Sequence, residues 1–287
     1  SLKGRAGLAI PDDSVLAHSD SEFSGMTAYA ENMTPGMTLP RLLCVQAHPD
    51  DETIWTGGTL ARHCAAGGEA DVVTTTWGIG RPRHLELVEA LATLGLPRPP
   101  IMLGYADGGV PGSADLPPLV DAPFDDEVRA LTAHVRALRP DIILTTDAFG
   151  IYGHPDHIHT HRLCLAAAEA AAEPHLYPDE GPAWQVSSIY LVTVSESRSR
   201  AAWEQVMAVK APGRSVGTPD ERIDETIDVR DFLDVKWAAL QAHRTEFARS
   251  KTMRAIRTLD APVRESLLGW ECYVRRDLVG GGRSLDQ

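Results

Sequence analysis

Two short clusters of ionisable residues in the sequence contain the same His-Pro-Asp tripeptide. The first cluster spans residues 47–52 and reads AHPDDE, and the second spans residues 152–161 and reads YGHPDHIHTH. Imidazole nitrogens and carboxylate oxygens bind zinc well, and the same groups transfer protons during catalysis. If the fold brings the two clusters together, they supply a hydrolytic metal site with its acid–base groups.

His48, Asp51 and His157 are the predicted metal ligands. Two histidines and one carboxylate suit a catalytic zinc site, because three protein ligands leave the fourth position open to water. Bound zinc lowers the pKa of that water towards about 7. The pair His157 and His161, four residues apart, is the alternative choice of ligands. We expect one zinc ion per chain, although Fe²⁺ and other divalent metals suit the same donors.

Three neighbours of these ligands are the predicted catalytic residues. Asp50 adjoins Asp51 but should point in another direction, which makes it the candidate general base. His154 lies three residues before His157, so both fall on one side of the first turn of a helix. A cationic His154 would stabilise the oxyanion of a tetrahedral intermediate, and Tyr152 would donate a hydrogen bond to the same oxygen.

Each of these residues also has a structural interpretation. Pro and Asp are common at turns, and Asp50 and Asp51 would also favour a helix N-terminus. We interpret His159 and His161 as residues of a helix surface or as neighbours of the ligands. His243 lies on an apolar helix face, and the sequence leaves open whether it is a buried structural residue or a part of the site.

Strands and helices alternate along the chain and would position both clusters. Apolar runs predict strands at 42–47, 70–77, 101–103, 141–146 and 188–194. Helical spacing predicts helices at 53–66, 85–94, 128–138, 158–172, 203–209 and 232–247. This pattern indicates an α/β fold with a mostly parallel sheet and helices on both faces. In such a sheet the site lies beyond the carboxyl ends of the strands, where both clusters fall.

Length and composition indicate a single catalytic domain. The 287 residues are 43% hydrophobic, enough for one core over residues 40–278. We interpret residues 1–39 as an N-terminal extension without periodicity, in which Ser21 to Gly25 resembles a cloning remnant. We interpret residues 279–287 as a flexible tail.

The charge and the cysteines limit the partners. A net charge of -13 makes nucleic-acid binding a poor expectation, and no apolar run is long enough for a membrane span. The N-terminus lacks the apolar stretch of a signal peptide, and none of the four cysteines forms a C-x-x-C motif. We therefore expect a cytoplasmic enzyme with reduced thiols and a small-molecule substrate. The sequence does not indicate the oligomeric state.

At the two clusters the chain resembles the LmbE-like (PIG-L) superfamily of zinc-dependent N-acetylglucosaminyl deacetylases, of the mycothiol-pathway and glycopeptide-antibiotic types. The strongest matches are AHPDDE and GHPDH, with further similarity at residues 56–60, 83–95, 103–107 and 236–243. The resemblance spans residues 41–275. It implies a Rossmann-like fold and hydrolysis of an N-acyl group on glucosamine, in a sugar–inositol or an antibiotic intermediate.

The resemblance also implies residue roles. It assigns His48, Asp51 and His157 to the metal, Asp50 to the base and His154 to the oxyanion. By similarity to the mycothiol-pathway members, Arg83 and Asp107 would bind sugar hydroxyls.

Both of these sugar-binding roles have a structural alternative. Arg83 would otherwise be a solvated charge near a helix start, and Asp107 an ordinary turn residue. One departure concerns the loop after the second strand. Many members carry Gly-Glu there, whereas this chain reads TWGIGR over residues 76–81. The insertion at residues 108–123 would either shape a cleft for a large aglycone or form a solvent-exposed loop.

Three other functions remain open at this stage. An amidase that cleaves mycothiol S-conjugates would use the same site, and substrate profiling separates it from a deacetylase. A non-haem iron oxygenase also uses two histidines and a carboxylate, but that class usually has an all-β barrel. A sugar-binding module with a structural metal would show a closed, four-ligand site.

Overall fold

A computed structural model of the protein describes residues 38–206 and 217–285. The N-terminal extension expected over residues 1–39 lies outside the described residues up to residue 37, and so does the end of the helix expected at 203–209. The described residues contain a seven-stranded sheet in the order β3-β2-β1-β4-β5-β7-β6. The strands are β1 (Leu42–Gln46), β2 (Ala70–Thr76), β3 (Ile101–Tyr105), β4 (Ile142–Thr146), β5 (Ser188–Thr193), β6 (Glu225–Asp228) and β7 (Trp270–Asp277).

The first five strands are parallel, and β7 pairs antiparallel with both β5 and β6. Every residue of β1, β4 and β5 is buried, which is why these segments read as continuous apolar or Thr-containing runs. The prediction of a mostly parallel sheet is confirmed. This architecture is not the all-β barrel that a typical non-haem iron oxygenase would require.

Helices cover both faces of the sheet. They are α1 (Asp51–Ala65), α2 (Pro82–Thr93), α3 (Phe124–Leu138), the single turn α4 (Gly150–Gly153), α5 (Pro155–Ala172), α6 (Glu196–Val206), α7 (Leu233–Ala242), α8 (Arg244–Arg249), α9 (Lys251–Arg257) and α10 (Ala261–Leu268). On one face, α1, α2 and α7 share a core with alternate residues of β1 and β4. On the other face, α3 and α5 pack against the intervening residues. No helix in these ranges is long and apolar enough to cross a membrane.

The sheet has a topological switch point between β1 and β4. These strands are neighbours, with Leu42 paired to Ile142, yet the chain proceeds from β1 to β2 on one side and from β4 to β5 on the other. Loops that leave neighbouring strands in opposite directions open a crevice at the carboxyl edge. The first cluster follows β1 and the second follows β4, so the fold places both clusters at this crevice.

Several elements differ from the sequence expectations, among them the helices α9 and α10, which were not predicted. The strands β6 and β7 were not predicted, since β6 has four residues and β7 ends in charged residues. The helix expected at 232–247 is divided at His243, whose backbone leaves the helical region with a ψ of 58°. Leu285, within the tail expected over 279–287, is 3% exposed, and residues 286–287 lie outside the described residues.

Candidate metal centre and active site

Three side-chain atoms from the two clusters form a compact triangle. His48 Nδ1 lies 3.1 Å from His157 Nε2, and Asp51 Oδ2 lies 3.4 Å from the former and 3.2 Å from the latter. Ligands of a tetrahedral zinc ion, each about 2.0–2.1 Å from the metal, are separated by about 3.3 Å. The spacing of the predicted ligands therefore fits one zinc-sized ion.

The chain geometry after β1 produces half of this triangle. Asp50 precedes α1 with a φ of 129°, and the turn aims Asp51 back at the preceding loop. Asp51 Oδ2 accepts a hydrogen bond from the His48 backbone N–H at 2.9 Å. Burial disfavours the charged carboxylate, but His157 and His48 hold the pKa of Asp51 well below its usual range. Asp51 is thus an anion at neutral pH, as a metal ligand must be.

His48 is surrounded by carboxylates. Its Nε2 lies 3.1 Å from Asp156 Oδ2 and 3.8 Å from Asp107 Oδ2. Burial lowers the pKa of His48, but the hydrogen bonds to Asp156 and Asp51 outweigh it and raise the pKa to about 10. The site attracts positive charge, and a metal at Nδ1 would replace the proton there.

Asp156 would complete a carboxylate–histidine–metal arrangement if His48 binds a metal. Such a partner fixes the orientation of the ligating imidazole and increases its basicity. We did not assign Asp156 from the sequence, although its place in the second His-Pro-Asp tripeptide was a usable signal. His154 also comes near the two ligand histidines, and His48, Asp107 and Asp156 form another close group. We favour the first triangle as the metal site because its distances match tetrahedral coordination.

Asp50 lies beside the triangle and forms an ion pair with Arg83. Arg83 Nη2 donates to Asp50 Oδ1 at 2.8 Å and also to the carbonyl of Pro49. Burial raises the pKa of Asp50 to about 7, although Arg83 favours the charged form. A carboxyl with this proton affinity suits a general base at neutral pH.

Glu52 and His243 support the same turn from behind. Glu52 Oε2 accepts from the Asp50 backbone N–H at 3.0 Å, and Glu52 Oε1 lies 3.2 Å from His243 Nε2. Both side chains are fully buried. Burial lowers the pKa of His243, but Glu52 raises it above its usual value. The structure therefore places His243 behind the backbone of Asp50 and outside the ligand triangle.

His154 and Tyr152 lie over the ligands. The ring centroids of His154 and His48 are 4.7 Å apart, and those of Tyr152 and His157 are 5.2 Å apart. His154 Nδ1 accepts from the Asp156 backbone N–H, which leaves Nε2 to donate. Burial and the neighbouring histidines lower the pKa of His154, the opposite direction from the one that a cationic His154 requires.

Gly150 allows the loop after β4 to approach α5, the helix that contains His157. Gly150 has a φ of +64°, and a Cβ there would lie 2.8 Å from His157 Cβ. This close approach is available only to glycine. Tyr152 follows two residues later and is 53% exposed, so its ring borders the opening of the site.

The other histidines of the second cluster have separate partners. His161 Nδ1 lies 2.8 Å from the Thr146 carbonyl, and His159 Nε2 lies 2.5 Å from Glu127. His157 Nε2, by contrast, lies 3.1 Å from His48 Nδ1 and 3.2 Å from Asp51 Oδ2. The geometry therefore favours His157 with His48 and Asp51 over the alternative pair.

Arg83 and Asp107 both reach the crevice. Arg83 is 1% exposed, and its Nη1 lies 3.4 Å from Glu246. Asp107 is 5% exposed and accepts from the Gly109 backbone N–H at 2.8 Å. Their proposed contacts with sugar hydroxyls stay predictions.

Comparison with known proteins gives a consistent family. The family described as PIG-L: GlcNAc-PI de-N-acetylase matches residues 43–168. A 1D-myo-inositol 2-acetamido-2-deoxy-alpha-D-glucopyranoside deacetylase of Rhodococcus jostii is 37% identical over 87% of this chain and 96% of its own length. The enzyme of the same name from Rhodococcus opacus is 37% identical over 73% of this chain and 82% of its own length.

A solved structure shares the fold at lower identity. The N,N'-diacetylchitobiose deacetylase from Pyrococcus horikoshii superposes with a TM-score of 0.55 and 20% identity, over 79% of this chain and 78% of its own. Similarity over nearly the whole length of the Rhodococcus jostii relative, together with the matched family motifs, shows that this chain belongs to the PIG-L family of deacetylases.

Proposed function

We propose that the protein is a metal-dependent hydrolase that removes the N-acetyl group from a glucosamine unit of a small glycoconjugate. The observation that carries the proposal is the ligand triangle with the buried carboxyl of Asp50 beside it. The similar Rhodococcus enzymes are named for an acetamidoglucosyl-inositol, which makes this compound the first candidate substrate. A single domain over residues 40–278 suffices for this chemistry.

The residues of the crevice have separate roles in amide hydrolysis. A divalent metal held by His48, Asp51 and His157 would activate a water and polarise the amide carbonyl. Asp50 accepts the proton of the attacking water, because Arg83 occupies one carboxylate oxygen and leaves the other available. The same carboxyl then returns a proton to the departing amine, which it can do because its pKa lies near neutrality.

His154 and Tyr152 stabilise the negative oxygen of the tetrahedral intermediate. A neutral His154 donates from Nε2, because its Nδ1 already accepts a backbone hydrogen bond. Fixed donors of this kind each contribute about 10²–10³-fold to turnover. Burial raises the pKa of Tyr152, so its hydroxyl keeps its proton and remains a donor.

The identity of the metal and the cellular location belong to the same proposal. We assign zinc, with Fe²⁺ as the alternative, because both accept nitrogen and carboxylate donors. A cytoplasmic location rests on the four free thiols, three of them buried. Neither nucleic acid nor membrane has a role in the proposed reaction.

The test is release of acetate from N-acetylglucosaminyl-inositol and from an N-acetylglucosaminyl antibiotic aglycone. Protein stripped by a chelator should be inactive, and added Zn²⁺ or Fe²⁺ should restore acetate release from one of the compounds. The Asp50→Asn variant is the matched control, because it keeps the three ligands and removes the base. Cleavage of a mycothiol S-conjugate, with both acetylated sugars left intact, would replace the deacetylase by the amidase.

A further inference from the structure

Trp77 occupies an unusual backbone position in the loop after β2. Its φ is +70°, a region that a bulky residue seldom adopts, and its backbone N–H donates to the Tyr105 carbonyl at 2.8 Å. The side chain is 7% exposed. Glycine would adopt this backbone without strain, so the contacts of the indole must account for a tryptophan here.

The indole makes two polar contacts, both with residues of the crevice. Trp77 Nε1 donates to Asp107 Oδ2 at 3.3 Å. The guanidinium carbon of Arg83 lies 5.1 Å from the centroid of the Trp77 ring, within the range of a cation–π interaction. One side chain therefore connects Asp107, which follows β3, with Arg83 in α2.

The contact with Asp107 decides where this carboxylate points. Asp107 Oδ1 accepts from the Gly109 backbone N–H at 2.8 Å, and Trp77 holds Oδ2. Asp107 Oδ2 lies 3.8 Å from His48 Nε2, which already has Asp156 as its nearer partner at 3.1 Å. Without the indole N–H, the carboxylate would be free to turn towards His48 and away from the crevice.

The contact with Arg83 acts on the other side of the site. Arg83 donates to Asp50 and lies 3.4 Å from Glu246, and the Trp77 ring packs against the same guanidinium. The ring thus limits the positions that Arg83 can adopt while it holds the base.

We propose that Trp77 is a positioning residue of the crevice, which fixes the carboxylate of Asp107 for substrate binding and the guanidinium of Arg83 for its contact with Asp50. The inference rests on the proposed function, because the ligand is the acetylated sugar of that reaction. It assigns the two contacts separate effects. The N–H bond to Asp107 governs binding of the sugar, and the ring contact with Arg83 supports turnover through Asp50.

The first experiment compares two tryptophan-to-phenylalanine variants. Trp77→Phe keeps a ring near Arg83 and removes the N–H donor. Trp184→Phe is the matched control, because Trp184 makes the same two kinds of contact. Its indole N–H donates to the Pro140 carbonyl at 2.7 Å, and the guanidinium carbon of Arg41 lies 5.2 Å from its ring centroid. Pro140 precedes β4, so these contacts lie at the opposite edge of the sheet from the crevice. Calorimetry of the metal-loaded protein with the deacetylated product, glucosaminyl-inositol, measures affinity without turnover.

We expect Trp77→Phe to raise the Kd about tenfold and Trp184→Phe to leave it unchanged, since one hydrogen bond to a charged group is lost near the ligand. In the deacetylation reaction, Trp77→Phe should raise KM more than it lowers kcat. Trp77→Leu, which also removes the ring, should lower kcat as well. In an Asp107→Ala background, which removes the acceptor, Trp77→Phe should have little further effect on Kd, because the two residues act through one contact.

The outcomes separate the inference from the proposed function. A lower Tm for Trp77→Phe, with Kd and KM equal to those of the unmodified protein, would make Trp77 a core residue only and overturn the inference. A similar rise in Kd for Trp184→Phe would also overturn it. Failure of the unmodified protein to bind or deacetylate the sugar would instead reject the proposed function.

Discussion

Arg83 and Asp50 form a buried ion pair in which Arg83 Nη2 lies 2.8 Å from Asp50 Oδ1. Arg83 has a second anionic partner in Glu246, at 3.4 Å, and Arg249 pairs with Glu246 at 2.8 Å. Asp50, the candidate base, therefore pairs with a guanidinium that also pairs with Glu246. The orientation and proton affinity of Asp50 depend on this chain of contacts as well as on burial.

Removing the carboxylate of Asp50 should abolish most turnover without removing the metal. Asp50→Asn keeps His48, Asp51 and His157, so zinc content measured by atomic emission should stay at one equivalent. We expect kcat to fall about 10²- to 10⁴-fold, the usual contribution of a general base. A variant that retains near-normal rates of acetate release would show that another group accepts the proton.

The pH dependence of catalysis should report Asp50. Its pKa is raised to about 7, and activity requires the deprotonated form, so kcat/KM should fall as the pH falls through this pKa. A bound divalent cation favours the carboxylate, so the midpoint of the metal-loaded enzyme should lie at or below about 7.

Replacing Arg83 should move the same midpoint upwards. Arg83 favours the charged form of Asp50, and Arg83→Gln removes this effect, so a higher pH is needed to deprotonate the base. Arg249→Gln is the control, because Arg249 reaches Asp50 only through Glu246. An acidic limb that is unchanged in Arg83→Gln would mean that the limb belongs to a group other than Asp50.

Metal affinity should distinguish the two sets of ligands. His157→Ala removes a corner of the triangle and should reduce zinc binding strongly, whereas His161→Ala removes a contact with the Thr146 carbonyl and should leave it near normal. Competition with a chromophoric chelator measures both constants. The reverse pattern would transfer the ligand role to His161.

Asp156 should influence the metal without touching it. Asp156→Asn replaces the carboxylate that lies 3.1 Å from His48 Nε2, and loss of such a partner typically weakens metal binding about 10- to 100-fold. Asp115→Asn, an exposed residue paired with Arg81, serves as the control in the same chelator competition. Equal affinities for the two variants would show that Asp156 does not influence the metal through His48.

The central parallel strands β1, β4 and β5 were predictable because they are buried on both faces. β1, β4 and β5 have no solvent-facing side, so their sequences show uninterrupted apolar or Thr-containing runs. β7 lies between β5 and the edge strand β6, and its exposed charged end gives no such signal. Its place in the sheet follows from tertiary pairing, which local periodicity does not contain.

The close approach of the three predicted ligands was predictable for a related reason, whereas the contacts of their neighbours were not. His48, Asp51 and His157 belong to two motifs that each follow a predicted strand, so topology alone brings them to one edge. The contact between Glu52 and His243 joins residues 191 positions apart, and no local sequence pattern predicts it. The same holds for the ion pair of Arg83 with Asp50, 33 positions away, whereas the contact of Arg83 with the sugar stays a prediction.

A second buried ion pair should determine stability more than catalysis. Lys236 Nζ lies 2.7 Å from Glu271 Oε1, both side chains are 1% exposed, and Glu271 also accepts the backbone N–H groups of Gly58 and Thr59 in α1, at 2.8 Å each. Lys236→Met would leave this carboxylate buried without a cation, and we expect unfolding in urea to show a loss of about 3–5 kcal/mol. Arg200→Gln, which breaks an exposed pair with Glu196, should cost less than about 0.5 kcal/mol. A loss below about 1 kcal/mol in Lys236→Met would show that the hydrogen bonds from α1 satisfy Glu271 without the lysine.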